Sequence, residues 1–124
     1  MNNLKNILLA LSFLMSCSLS TFAQYSPLEK ERQQMEQKYN YYYYLYTNNK
    51  LYFQTIEEYG DAYSDLLKLE KYFRQQSNEY RSKAQSGNVD SQQCYKRGDE
   101  YEQMANHCNH WRITAGANWD KTHR

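Results

Sequence analysis

The chain has 124 residues, a formal net charge of +1 and 23% charged residues. Its length allows one small domain, and its near-neutral charge gives no electrostatic reason to expect a nucleic-acid partner, which favours a basic surface. Because only 4 glycines and 1 proline are present to interrupt regular structure, the composition favours long helices.

Residues 1–23 have the pattern of a secretory signal peptide. Lys5 supplies a positive charge, residues 7–15 form a short apolar run, and residues 21–23 (Thr-Phe-Ala) offer a small-residue cleavage site. The apolar run is shorter than the roughly 20 residues that a membrane-spanning helix needs. We therefore expect cleavage after residue 23 and a single domain over residues 24–124, located in the periplasm or outside the cell.

The signal has an alternative ending at Cys17. Residues 14–17 (Leu-Met-Ser-Cys) resemble a bacterial lipoprotein box, in which the cysteine becomes the lipidated first residue of the mature protein. Met15 fits that box poorly, because a smaller residue is usual two positions before the cysteine. Simple cleavage predicts a soluble periplasmic or secreted protein, whereas lipidation of Cys17 predicts the same domain anchored to a membrane.

The first predicted helix begins at Pro27. Ser26 is a suitable N-cap, and Glu29, three residues later, completes the pattern of a capping box. Apolar residues at helical spacing follow, and they are Leu28, Met35, Tyr39, Tyr42 and Tyr46. The polar residues 47–49 (Thr-Asn-Asn) are expected to end this helix.

The second predicted helix, over residues 51–85, is expected to be the longest. Its apolar residues alternate spacings of four and three, as in a coiled coil. They are Tyr52, Ile56, Tyr59, Tyr63, Leu66, Leu69, Phe73 and Tyr80. Acidic residues lie toward its start and basic residues toward its end, which complements the helix dipole. Gly87 is suited to end this helix at its C-terminus.

A third helix is expected to begin after a cap at Asp90 or Ser91. Its apolar face consists of Cys94, Tyr101, Met104, Ala105, Cys108, Trp111 and Ala115. Gly98 lies on the same face, where the missing side chain permits close helix approach or marks a kink. Residues 115–117 (Ala-Gly-Ala) are expected to loosen the helix and leave a loose polar tail. The sequence thus predicts an all-α fold, a small antiparallel bundle or hairpin of about three helices.

The run of four tyrosines at residues 41–44 predicts a contact surface. Four successive residues sweep about 300° around a helix at 100° each, so one buried face cannot hide all of them. Exposed tyrosine is favoured at binding sites, which makes Tyr41, Tyr43 and Tyr44 candidates for binding a partner. The simpler interpretation is surface tyrosine without a binding role.

Cys94 and Cys108 remain after simple cleavage, and an exported cysteine pair usually indicates a disulfide. Along one straight helix, however, their separation of 14 positions corresponds to about 21 Å, whereas a disulfide requires Cα atoms within about 7 Å. An internal bridge would need the chain to fold back near Gly98. Buried thiols, or a bond to a second chain, fit the apolar stripe better.

His107 and His110 are three residues apart on the third helix, a spacing at which both could bind the same metal ion, so they are weak candidates for a metal site. Two histidines near a helix C-terminus have a simpler explanation, because positive charge is favourable there. The sequence contains no nucleophile elbow, phosphate-binding glycine loop or His-Glu-x-x-His motif. It therefore indicates no catalytic residue, no cofactor and no enzyme activity.

Together these features predict a non-enzymatic, exported interaction or scaffold protein of the bacterial envelope, which holds a protein partner through its tyrosine-rich surface. The alternative is a small ligand- or metal-binding exported protein that uses the third helix. No nucleic-acid partner is expected, and membrane attachment is expected only through Cys17. The identity of the partner and the formation of homo-oligomers stay open.

Overall fold

The computed structural model describes residues 26–87 and 90–124. This part of the chain contains three α-helices, α1 (Pro27–Thr47), α2 (Ile56–Ser86) and α3 (Ser91–Thr122), and no strand. The predicted all-α fold is confirmed. Among the described residues, those from 26 to 50 belong to one compact unit, and those from Leu51 onward belong to a second.

The predicted signal peptide and the alternative anchor at Cys17 lie outside the described residues. Within residues 26–87 and 90–124, no helix combines the length and the apolar character needed to cross a membrane.

Each helix begins with a side-chain cap. The side chains of Ser26, Thr55 and Asp90 each accept a hydrogen bond from the backbone N–H three residues later, which pairs one of the donors that a helix start leaves unsatisfied. At the other end of α2, Gly87 has a φ of +73°, the left-handed conformation that favours glycine. The caps at Ser26 and Asp90 and the stop at Gly87 confirm the prediction.

The start of α2 and the end of α3 differ from expectation. α2 begins at Ile56, because Thr55 caps it, and residues 51–55 precede it without helical structure. α3 continues to Thr122 through residues 115–117, where we expected it to loosen. Fully buried Ala115 holds this stretch in place. As a result α2 has 31 residues and α3 has 32, so their lengths agree to within one residue.

α2 and α3 pack against each other as an antiparallel hairpin. The residues buried along α2 are Ala62, Leu66, Leu69, Phe73, Ser77 and Ala84, and those along α3 are Gly98, Tyr101, Ala105, Cys108, Trp111 and Ala115. The predicted stripe of α2 is therefore confirmed from Leu66 to Phe73. It is wrong at Tyr52, which precedes the helix, and at Ile56, its first residue, both of which are exposed. It is also wrong at Tyr63, which is exposed because the small side chain of Ala62 occupies the buried position in that turn.

One edge of the hairpin carries a row of polar contacts between the helices. Arg81 on α2 lies 2.9 Å from Asp99 and 2.6 Å from Glu102 on α3. Farther along, Arg112 on α3 lies 3.4 Å from Glu70 on α2. Ion pairs with this degree of exposure add little to stability, so the buried contacts provide most of it.

The hairpin has a close contact at Ser77 and Gly98. The Ser77 hydroxyl donates a buried hydrogen bond of 2.7 Å to the Gly98 carbonyl. A Cβ atom on Gly98 would lie 3.2 Å from the Ser77 backbone oxygen and 3.1 Å from Cγ of Arg81. The expectation of close helix approach at Gly98 is confirmed.

This geometry predicts opposite effects for two glycine substitutions. Gly60 is exposed on α2, and a Cβ atom added there would have no neighbour within 4 Å, so Gly60→Ala should stabilise the protein by about 0.5–1 kcal/mol, the usual helix-interior difference. Gly98→Ala should destabilise it by about 1–3 kcal/mol, as expected for overpacking. Chemical denaturation followed by circular dichroism measures both. Stabilisation by both substitutions would contradict the close contact.

Candidate functional site

Two tyrosine rings of the run on α1 are exposed, and we call Tyr41 and Tyr44 the tyrosine surface. Tyr41 is 57% exposed and Tyr44 40% exposed, whereas Tyr39 and Tyr42 are only 5% and 4% exposed. This division follows the expected 100° step of the helix. The surface therefore presents aromatic area that folding has not buried.

The predicted buried stripe is wrong at one other tyrosine of α1, and a second tyrosine is less exposed than Tyr41 and Tyr44. Tyr46, assigned to the buried stripe, is exposed, and it lies in the last turn of a helix that ends at Thr47. Tyr43, proposed as a partner-binding residue, is only half-buried because its ring packs against Tyr39 with a centroid separation of 6.1 Å. Tyr43 therefore contributes less open surface than Tyr41 and Tyr44.

The rings of the tyrosine surface are held by neighbours in the same unit. The Lys50 ammonium donates a 3.2 Å hydrogen bond to the Tyr44 hydroxyl and lies 5.3 Å from the centroid of the Tyr44 ring. The Tyr41 ring meets Tyr42 edge-to-face, with centroids 5.3 Å apart. A ring that is already positioned loses less conformational entropy when a partner covers it.

A second aromatic cluster lies where α2 begins and α3 ends. The Tyr59 ring stacks on Trp119 at a centroid distance of 5.2 Å and an interplanar angle of 6°. Trp119 in turn stacks on His123 at 3.5 Å and 16°. Phe53 packs on Tyr59 with centroids 6.3 Å apart. These contacts place three nearly parallel rings at the open end of the hairpin.

The segment 51–55 is fastened to the end of α3. Leu51 is fully buried, and the Asn118 side-chain amide donates a 2.9 Å hydrogen bond to the Leu51 carbonyl. His123 Nε2 lies 3.3 Å from the Gln54 carbonyl oxygen. Between this segment and α3 is an open cavity of about 390 Å³, the terminal groove, lined by Tyr52, Phe53, Gln54, Thr122 and His123.

Both cysteines of α3 are free thiols. Cys108 is fully buried and Cys94 is half-buried. Desolvation, with a smaller contribution from the charge of Glu70, raises the pKa of the Cys108 thiol to about 12. Since the thiolate is the reactive form, Cys108 is chemically protected in the folded protein.

The two histidines proposed as alternative metal ligands lie on the third helix. His107 stacks on Trp111 with a centroid separation of 5.8 Å. Desolvation lowers the pKa of His107, and the nearby charge of His110 lowers it further, so the neutral imidazole is favoured. Among residues 26–87 and 90–124, no group of three or more metal-binding side chains lies together.

Comparison with family models, with curated proteins and with solved structures gave no significant match. Function is therefore inferred from the chemistry and geometry of the chain's own residues.

The terminal groove could not be expected from the sequence, in which residues 118–124 have the composition of a polar tail. Trp119 and His123 are four residues apart, a spacing that places side chains on one helix face. The spacing indicates a shared helix face only if α3 continues past Gly116, as it does in the structure.

The burial of Cys108 predicts selective thiol labelling. At about pH 8, iodoacetamide should modify the half-buried Cys94 in the folded protein and leave the fully buried Cys108 unmodified. In denaturant, both should react. Peptide mass spectrometry distinguishes the two sites, and a Cys94→Ala variant serves as the control. Labelling of Cys108 at the rate of Cys94 in the folded protein would contradict the packing of α3.

Proposed function

We propose that this chain is an exported, non-enzymatic interaction protein that holds a protein partner through the tyrosine surface of α1. The observation that carries the proposal is the exposure of Tyr41 and Tyr44 beside the buried Tyr39 and Tyr42. Export is supported by the signal-peptide pattern of residues 1–23, and it gives the protein a place in the bacterial envelope or outside the cell.

The chemistry of tyrosine supports a protein partner. Its ring has a large apolar area with few rotatable bonds, and its hydroxyl remains able to form a hydrogen bond at the edge of an interface. Lys50 adds a positive charge next to Tyr44, which favours a carboxylate or a carbonyl-rich segment on the partner. Because the fold does not bury these two rings, they are available for binding.

The proposal predicts that the exposed tyrosines of the run contribute to partner binding and that the buried ones contribute to stability. The double change Tyr41→Ser and Tyr44→Ser should leave the thermal unfolding temperature nearly unchanged, because these rings are exposed. It should weaken binding to the natural partner by about 1 kcal/mol or more, the scale of interface hot spots. Quantitative affinity capture from the native host, followed by titration with the purified partner, measures the effect.

Matched variants distinguish specific binding by the tyrosine surface from nonspecific binding by any exposed tyrosine. Tyr95→Ser removes a tyrosine that is similarly exposed but lies outside α1, and it should leave partner binding unchanged. Tyr42→Ala should mainly reduce stability, since Tyr42 is buried. If the folded double variant binds the partner as well as the wild type does, the tyrosine surface has no binding role.

A further inference from the structure

The terminal groove differs from the tyrosine surface in both place and chemistry. It belongs to the unit that starts at Leu51, and its walls are formed by Tyr52, Phe53, Gln54, Thr122 and His123. We propose that this groove binds a flat, uncharged aromatic ring, carried either by a small heterocyclic molecule or by an aromatic side chain of a peptide. The proposal does not depend on partner binding by α1.

The stack of rings at the groove indicates what kind of ligand fits. Tyr59, Trp119 and His123 lie parallel to within 16° for each adjacent pair. Trp119 covers one face of the His123 imidazole at a centroid distance of 3.5 Å. His123 also forms a wall of the groove, so a flat ring bound in the groove would lie next to the end of this stack, where a further aromatic contact is favourable.

The imidazole that ends the stack lies among neighbouring oxygens, and as a neutral ring it can donate a hydrogen bond from only one of its two nitrogens. Its Nε2 atom lies 3.3 Å from the Gln54 carbonyl oxygen. Its Nδ1 atom lies 2.9 Å from the Thr122 hydroxyl and 3.2 Å from the Trp119 carbonyl oxygen. A ligand ring therefore meets a surface that is already oriented, which lowers the entropy lost on binding.

The size and polarity of the groove limit the ligand further. Its volume of about 390 Å³ is near the lower end of the range for small-molecule sites, roughly 300–1,000 Å³, so one ring or two fused rings fit. None of the five lining residues is Asp, Glu, Lys or Arg, which disfavours a charged ligand. The exposed Gln54 amide offers both a donor and an acceptor to a polar atom of the ring.

Nuclear magnetic resonance titration of the purified protein tests the proposal. Indole is the probe for a free heterocycle, and an acetylated, amidated Gly-Trp-Gly tripeptide is the probe for a peptide side chain. We expect saturable ring-current shifts of the His123 and Tyr52 side-chain signals. Saturation by indole and by the tripeptide supports a ring site open to both sources, and saturation by only one of them identifies the source. Shifts that stay linear with both probes would overturn the proposal.

Variants test whether any binding occurs in the groove. His123→Ala and Tyr52→Ala should each weaken binding about three- to tenfold, the effect expected for loss of one aromatic pair. Tyr95→Ala removes an exposed tyrosine of α3 that does not line the groove and should have no effect. Tyr52 is itself exposed, so its variant is expected to fold even if His123→Ala loosens segment 51–55. Equal affinity in the wild type and the Tyr52 variant would place the binding elsewhere and overturn the proposal.

Discussion

The contact between Ser77 and Gly98 is the constraint on which the rest of the hairpin depends. A glycine on α3 faces a small residue on α2, and the Ser77 hydroxyl donates to the Gly98 carbonyl across the interface. This pairing fixes both the distance between the helices and their register. The same register extends along the hairpin, because Tyr59 and Gly116, each 18 positions from this contact, also lie together. At 1.5 Å per residue, that distance is about 27 Å.

Close approach also explains how a chain with a mean hydropathy of −1.05 forms a buried core. Small side chains, such as Ala62 and Ala105, let the helices come near enough for a few large ones to fill the interface. Phe73 and Tyr101 stack within it at a centroid distance of 5.9 Å. Tyrosine then completes the edges, since its ring packs while its hydroxyl reaches water. The exposed tyrosines of α1 use the same property without being required for packing.

The sequence predicts best what depends on neighbours along the chain. The cap at Ser26, the stop at Gly87 and the exposure of Tyr41 follow from local chemistry and from the 100° step of a helix, and all three agree with the structure. The exposure of Tyr63 was not predicted, because Ala62 and Tyr63 are both apolar. Only the distance to α3 decides which of the two faces the partner helix.

The end of α3 shows why the terminal groove could not be predicted. Gly116, between Ala115 and Ala117, weakens a helix on local propensity, yet the Tyr59 hydroxyl packs against Gly116 and the helix continues. Segment 51–55 looks like the first turn of α2, but Asn118 holds it in another conformation through the Leu51 carbonyl. Each of these contacts joins residues more than 50 positions apart, so no local pattern encodes it.

The most direct test of this account is the contact between the Tyr59 ring and Gly116, which reports the register at the far end of the hairpin. Because the Tyr59 hydroxyl lies against Gly116, the structure predicts a nuclear Overhauser effect between the Hε ring protons of Tyr59, which flank the hydroxyl, and the Hα protons of Gly116. If the hairpin were out of register by one turn, that signal would be absent, and so would the signals between the stacked rings of Tyr59 and Trp119. Such a result would contradict the alignment set by Ser77 and Gly98.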